Sequence, residues 1–290
     1  MFASDMTRRT MLAATGAAFA ASGTAATTPT AQDVIDRIKA HVGVPWRVKT
    51  VDGIKAGAAD TPVTAIATVM MATFDVLKRA AANRQNLVIT HEPTFWSHPD
   101  DISLLGNDSL YLEKLAFIKQ HGLVVFHFHD HWHALKPLDG IAVGMMRKLG
   151  WTRYADADNP QRFTLPVTTL GALAHELATK LDDRTVRVVG DPNLPVRRAG
   201  SSWGYFSQFP GIPQLNSDVD VMIVGETREW EIVEYAQDLV SAGRKKGLVI
   251  LGHVVSEQWG MEYCAEWLKT FVSEVPVTFL PMHEPWWSPS

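Results

Sequence analysis

From residue 31 onward the chain switches repeatedly between two apolar spacings. Val34, Ile35, Ile38 and Val42 recur at helical intervals, and Gly43 and Pro45 end that stripe. Residues 48–57 read as loop or edge strand. Residues 63–71 form an apolar, β-branched run, the pattern of a buried strand. Helical spacing returns at 74–82, 110–120, 141–149, 169–181, 230–242 and 258–271. Thr168 or Thr169 is the expected cap of the fourth of these helices. Short apolar runs at 86–90, 123–126, 162–165, 186–189, 219–224, 248–251 and 277–280 predict strands between them. Asp191-Pro192-Asn193 reads as a turn and Gly200-Ser201-Ser202-Trp203-Gly204 as a flexible loop. Strand and helix alternate through short links. This predicts an α/β fold, layered α/β/α, with largely parallel strands.

The first thirty residues break the rhythm. Thr7-Arg8-Arg9-Thr10-Met11-Leu12 precedes an uncharged, alanine-rich run from Ala13 to Ala26. This is the pattern of a twin-arginine export signal, with cleavage expected near Ala25 or Ala26. The run is too short for a membrane span, so no stable membrane anchor is expected. The mature chain, 31–290, reads as one unit or as two intimately packed halves, about 31–155 and 156–290. The expected location is periplasmic or secreted.

Composition narrows the chemistry. The 290 residues are 46% hydrophobic with a net charge of -4, enough for a large core and without the basic surface that nucleic acid requires. Cys264 is the single cysteine, so a disulfide within the chain and a cysteine-built zinc site are both excluded. Metal ligands must then be histidine and carboxylate. No phosphate-binding Gly-x-x-x-x-Gly-Lys-Ser/Thr pattern is present.

Four of the eleven histidines, His127, His129, His131 and His133, fall at every second position after Val124-Val125-Phe126. The strand is expected to end near His127, leaving the later histidines and Asp130 on the loop that follows. Imidazoles and a carboxylate gathered there suit zinc, iron or a similar divalent ion. Two other strands end in the same chemistry. Leu87-Val88-Ile89-Thr90 delivers His91-Glu92, and Leu248-Val249-Ile250-Leu251 delivers Gly252-His253, with Glu257 four residues on. In open α/β sheets the binding crevice lies at the carboxyl ends of strands. At the start of a helix, i and i+4 spacing places His253 and Glu257 on one face. Glu92 and Glu257 are the candidate catalytic carboxylates, and the candidate bridges between two ions about 3.5–4 Å apart.

This pattern resembles the NIF-three-like dinuclear metal-centre proteins, some of which carry the name GTP cyclohydrolase I type 2. Thr90-His91-Glu92-Pro93-Thr94-Phe95 resembles their Thr-His-His-Pro segment, and residues 125–133 their Val-Tyr-Ser-Ala-His-Thr-Asn-Leu-Asp segment. Residues 252–257 resemble their late Gly-His-x-x-x-Glu, residues 186–192 and 200–204 their middle region, and Val224-Gly225-Glu226 their Thr-Gly-Glu. The resemblance spans the mature chain. It implies a NIF-three-like fold and the ligands His91, Glu92, His133, His253 and Glu257, with His129 close by. Here Glu92 replaces the family's second early histidine and His133 its aspartate, an exchange that keeps three histidines and two carboxylates. Trp230 stands where the family usually has a histidine. The resemblance also implies a homohexamer, two divalent ions per chain (zinc, iron or manganese), and a nucleotide-like, heterocyclic or phosphoester substrate for a metal-dependent hydrolase. Rival readings are a periplasmic metal-binding or scaffold protein without turnover, and a phosphoesterase using the His-x-His spacing.

His98 reads as a surface loop residue, His121 as a helix stop, and His41 and His175 as exposed or capping. His283-Glu284-Pro285-Trp286-Trp287 echoes His91-Glu92-Pro93, and is expected either to pack as a tail or to wall the same pocket with its tryptophans.

Overall fold

Thr30 and Asp33 start the fold with reciprocal hydrogen bonds, each side chain accepting the other's backbone N–H, and α1 (Ala31–His41) follows with Val34, Ile35 and Ile38 buried. The computed structural model describes residues 28–287 and 289. The export pattern at Arg8-Arg9 and the run to Ala26 lie outside the described residues. Along the chain come β1 (Gly53–Ala56), β2 (Ile66–Met71), α2 (Phe74–Ala82), β3 (Leu87–Glu92), α3 (Ser109–Gln120) and β4 (Val124–His127). A single helical turn, α4 (Asp130–His133), and then α5 (Gly140–Leu149) complete the first half. The second half runs β5 (Arg162–Thr169), α6 (Leu170–Leu181), β6 (Arg187–Val189), β7 (Pro195–Tyr205), α7 (Gln208–Leu215) and β8 (Val221–Glu226). A π-helical turn at Glu229–Val233 leads into α8 (Glu234–Ser241), then β9 (Gly247–Ile250), α9 (His253–Leu268) and β10 (Val277–Phe279).

The strands form two five-stranded sheets, ordered β1-β4-β3-β2-β10 and β5-β7-β8-β9-β6. The α/β expectation holds, with mixed sheets. In the first, β4, β3, β2 and β10 are parallel and β1 is an antiparallel edge. In the second, β7, β8 and β9 are parallel, and β5 and β6 are antiparallel edges. The last strand, β10, returns to the first sheet beside β2.

Three apolar clusters set the layers. One outer cluster joins Val76 and Leu77 of α2 to Val69 and Val88 of the first sheet. Another joins Ala236 of α8 to Met222 and Val224 of the second. Between the sheets, α1, α5, α6 and α9 share the largest cluster. Helix α9 packs on β2 and β10 on one side and on β7 and β8 on the other. Its buried positions therefore run around its circumference, from Val254 and Val255 to Met261, Cys264 and Leu268. Helices α5 and α9 touch backbone to backbone, since a Cβ on Gly144 would lie 2.2 Å from the Trp259 carbonyl oxygen.

Two expectations are corrected. Residues 200–204 are not a loop but the inner part of β7, where a Cβ on Gly200 would meet Met222 Sδ at 2.5 Å. Small residues stand there because the strand is crowded, not because it moves. The last long helix begins at His253, five residues earlier than its apolar spacing indicated.

Candidate metal centre

Both sheets direct the carboxyl ends of parallel strands at one place. Strand β3 ends in His91-Glu92, β4 leads into α4, β8 ends at Glu226, and β9 leads into α9. His253 and Glu257 occupy successive turns at the start of α9, with His253 Nε2 3.1 Å from Glu257 Oε2. His129 and His133 are likewise one turn apart, the His133 N–H donating to the His129 carbonyl oxygen at 3.0 Å. Their shared face comes from this turn, not from strand alternation.

The six residues His91, Glu92, His129, His133, His253 and Glu257 meet. His91 Nε2 lies 3.4 Å from Glu257 Oε2, and His253 Nε2 3.2 Å from Glu92 Oε1. His129 Nε2 is 3.9 Å from Glu92, and His133 Nε2 3.9 Å from Glu257. The His91, His129 and His133 rings lie 4.7–4.9 Å apart, centre to centre. His91, His129 and His133 each offer a ligand atom within 4.8 Å of the others, as do His91, Glu92 and Glu257.

Each imidazole is held from behind. The His91 Nδ1–H donates to the Phe128 carbonyl oxygen at 3.4 Å, and His133 Nδ1 lies 2.8 Å from Asp139 Oδ2. His129 Nδ1 is 3.2 Å from Asp130 Oδ1, and His253 Nδ1 3.6 Å from Glu226 Oε2. All four rings therefore present Nε2 to the centre, the orientation that outer carboxylates and carbonyls impose on metal-ligating histidines. His91 Nε2 is fully buried and has no hydrogen-bond partner. A buried nitrogen left bare in this way is costly unless something else binds it, so the donor set fits a divalent cation.

The charges agree. Burial would raise the Glu257 carboxyl, but His91 and His253 beside it hold it well below the usual range. Glu92 is also lowered, against its burial, by His253 and His91. Burial disfavours a charged His253, yet Glu226, Glu257 and Glu92 push its pKa up to about 12. His133 is likewise raised against burial, to about 9, by Asp139. His129 is pushed down to about 3 by burial and by its neighbours His91 and His133. The pocket thus keeps carboxylates ionised and compensates them with positive charge, the role a bound cation would take.

The histidine run divides in two. His129 and His133 enter the centre, while His127 and His131 turn away. His127 lies 3.2 Å from Asp100. His131 is fully buried and stacked on Trp46 at 3.7 Å. Its Nε2 accepts from the Arg47 N–H at 3.0 Å, so Nδ1 carries the proton facing Asp52 Oδ2 at 2.6 Å. Asp52 Oδ1 also accepts from the N–H groups of His129 and Asp130, each at 2.8 Å, and Oδ2 from that of His131 at 2.9 Å. Asp52 therefore clamps α4 from nearly eighty residues away, where no motif marks it. Asp139 had a local signal, an aspartate before a helix-starting glycine. It caps α5 through Ile141 N–H with one oxygen and holds His133 with the other.

His98 is exposed, as a loop residue should be, but its ring lies 4.6 Å from that of His129. His121 closes α3, and His175 is exposed on α6. His283-Glu284 does not wall the centre. It lines a separate cavity of about 590 Å³ with Leu181, Arg184, Gln258 and Trp259, and Glu284 is tied to the Thr185 hydroxyl.

A model of the Duf34/NIF3 (NGG1p interacting factor 3) family matches residues 29–285. The chain belongs to the Duf34/NIF3 family. A GTP cyclohydrolase 1 type 2 homolog of Clostridium acetobutylicum is 29% identical over 101 residues, 35% of this chain. The chain spans 36% of the length of that relative. The Bacillus cereus protein related to NIF3 superposes with a TM-score of 0.71 at 13% identity, covering 91% of this chain and 100% of its own. Staphylococcus aureus protein SA1388 gives 0.70 at 15% identity, with 90% and 100% covered. Reduced HcgD of Methanocaldococcus jannaschii gives 0.64 at 15%, with 88% and 98% covered. At these identities the solved structures establish the Duf34/NIF3 fold.

Proposed function

We propose that His91, Glu92, His129, His133, His253 and Glu257 hold two divalent metal ions, zinc, iron or manganese, and that the protein is a metal-dependent hydrolase. The observation that carries this is the set of four imidazoles held at Nδ1 and aimed through Nε2 at two buried carboxylates. Divalent ions, when bound, supply Lewis acidity toward a water and a polar substrate group. The chain supplies the rest. His91, His133 and His253 fix Glu257, whose side chain is only 2% exposed, as a holding carboxylate. Glu92, at 11% and open toward His129, is the better proton acceptor. The name of the Clostridium relative supports a nucleotide-like or other heterocyclic substrate, and a phosphoester suits the same donor set.

The proposal extends to export through the twin-arginine pattern at Arg8-Arg9, to a periplasmic or secreted location, and to a homo-oligomer, a hexamer in keeping with the family resemblance. Among the described residues no helix is long and apolar enough to cross a membrane. The test is elemental mass spectrometry of the exported protein, followed by turnover of a nucleotide and phosphoester panel. About two equivalents per chain are expected, falling sharply in His253→Ala. Undiminished metal in that variant would refute the site. Full metal with no turnover would leave a metal-binding scaffold.

A further inference from the structure

We propose that His98, Asp130 and the Nδ1 side of His129 form an outer divalent-cation site at the rim of the inner centre. The proposal builds on the inner-centre reading through the shared His129. The three residues come from two separate segments, the loop after β3 and the start of α4, yet each offers a ligand atom within 4.8 Å of the others. The His98 and His129 rings meet nearly at right angles, 82°.

Asp130 is divided between two tasks. Its Oδ2 accepts from the Thr50 hydroxyl at 2.9 Å and the Val51 N–H at 3.3 Å. That pins the carboxylate with Oδ1 turned to His129 Nδ1, 3.2 Å away. His98 is not on a free loop. Asp100 Oδ1 accepts from the N–H groups of Thr94 and Phe95, both at 2.7 Å, and Lys55 Nζ donates to the Pro99 carbonyl oxygen at 3.4 Å. Trp96 and Asp100, on either side of His98, hold left-handed backbone at φ 60° and 58°. Such residues persist only where the surroundings impose them. The loop is built to hold His98 over His129.

Two imidazoles and one carboxylate form a donor set for a borderline divalent ion such as zinc, not for calcium or magnesium. An ion there takes the place of the His129 Nδ1 proton, which leaves to solvent, and His129 then joins the outer and inner sites through its two nitrogens. The outer site is the weaker one. His98 is exposed, and the Arg47 guanidinium lies 3.7 Å from Asp130 Oδ2.

The test is equilibrium dialysis of the exported protein against zinc(II) alone, with metal per chain read by elemental analysis. Cobalt(II) absorption spectra would be recorded in parallel. Wild type is expected to bind a further, weaker equivalent beyond the inner complement. His98→Ala, at an exposed position, should lose that equivalent and keep the inner ones, and Asp130→Asn should lose it while also weakening the inner centre through His129 Nδ1. A wild type that saturates at the inner complement, or a weak equivalent that survives in either variant, overturns the outer site. A wild type that binds one ion only, kept in His253→Ala and lost in His98→Ala, would instead refute the inner centre and leave the outer site standing.

Discussion

Replacing Asp52 with asparagine tests whether the candidate metal centre depends on a clamp outside its proposed ligands. The Asp52 side chain is fully buried and accepts four hydrogen bonds, three from backbone N–H groups of residues 129–131 and one from His131 Nδ1. Asparagine can keep its oxygen toward His129 and Asp130, but its amide nitrogen then faces two donors, the His131 N–H and Nδ1–H. His131 cannot escape by changing tautomer, because its Nε2 accepts from Arg47. Two hydrogen bonds to a charged group are lost, at about 1.5–3 kcal/mol each. The expected destabilisation is therefore about 4 kcal/mol by urea unfolding, followed by tryptophan fluorescence and far-ultraviolet circular dichroism. A four-residue helix has little stability of its own, so His129 and His133 should lose their positions. Metal affinity should then fall by about 10–100-fold, as is typical when an outer contact to a ligand is removed. A loss of stability below about 1 kcal/mol, within the range of ordinary substitutions, would show that Asp52 is not the clamp described here.

Gly204 sits at φ 73°, and a Cβ there would lie 2.4 Å from Glu257 Oε1 and 3.2 Å from His253 Nε2. Gly204→Ala should therefore lower metal content per chain by displacing Glu257, and an elemental analysis matching wild type would contradict this geometry. Asp183 should make stability depend on pH. Burial, and secondarily Glu284, raise its pKa to about 6, and its Oδ2 has no hydrogen-bond partner. The folded state thus binds the proton more tightly than the unfolded chain. The contribution is fully present below about pH 4 and is lost as pH rises through about 6, worth on the order of 2–3 kcal/mol. Asp183→Asn should flatten that part of the urea-derived profile and be the more stable protein at pH 7, whereas parallel profiles would refute the assignment.

Much of the architecture could be read along the chain because local patterning and burial agree. Helix α2 falls on the residues its apolar spacing marks, and β2, β3, β4, β8 and β9 are the apolar runs expected of strands covered on both faces. Helix α7 went unrecognised because Pro210 and Pro213 mask its pattern, and β7 because its crowded interior selects Gly200, Ser201 and Ser202, residues that elsewhere mark loops. The residues of the candidate centre were legible because each terminates or follows a strand, and strand ends in α/β sheets face a crevice. Sequence alone therefore determined the fold class, and it named the six residues that the structure brings together.

Tertiary structure decided what each histidine does. His127, His129, His131 and His133 are equivalent by spacing, yet one lies against Asp100, one is clamped by Asp52, and only two enter the centre. The partners that make this choice are distant along the chain. Asp52 lies 77–79 residues from the groups it holds, and Glu226 meets His253 from a neighbouring strand end. Local pattern reports which face of an element is apolar. It does not report which distant carboxylate or carbonyl will occupy the back of an imidazole, and that contact sets where the other ring nitrogen points.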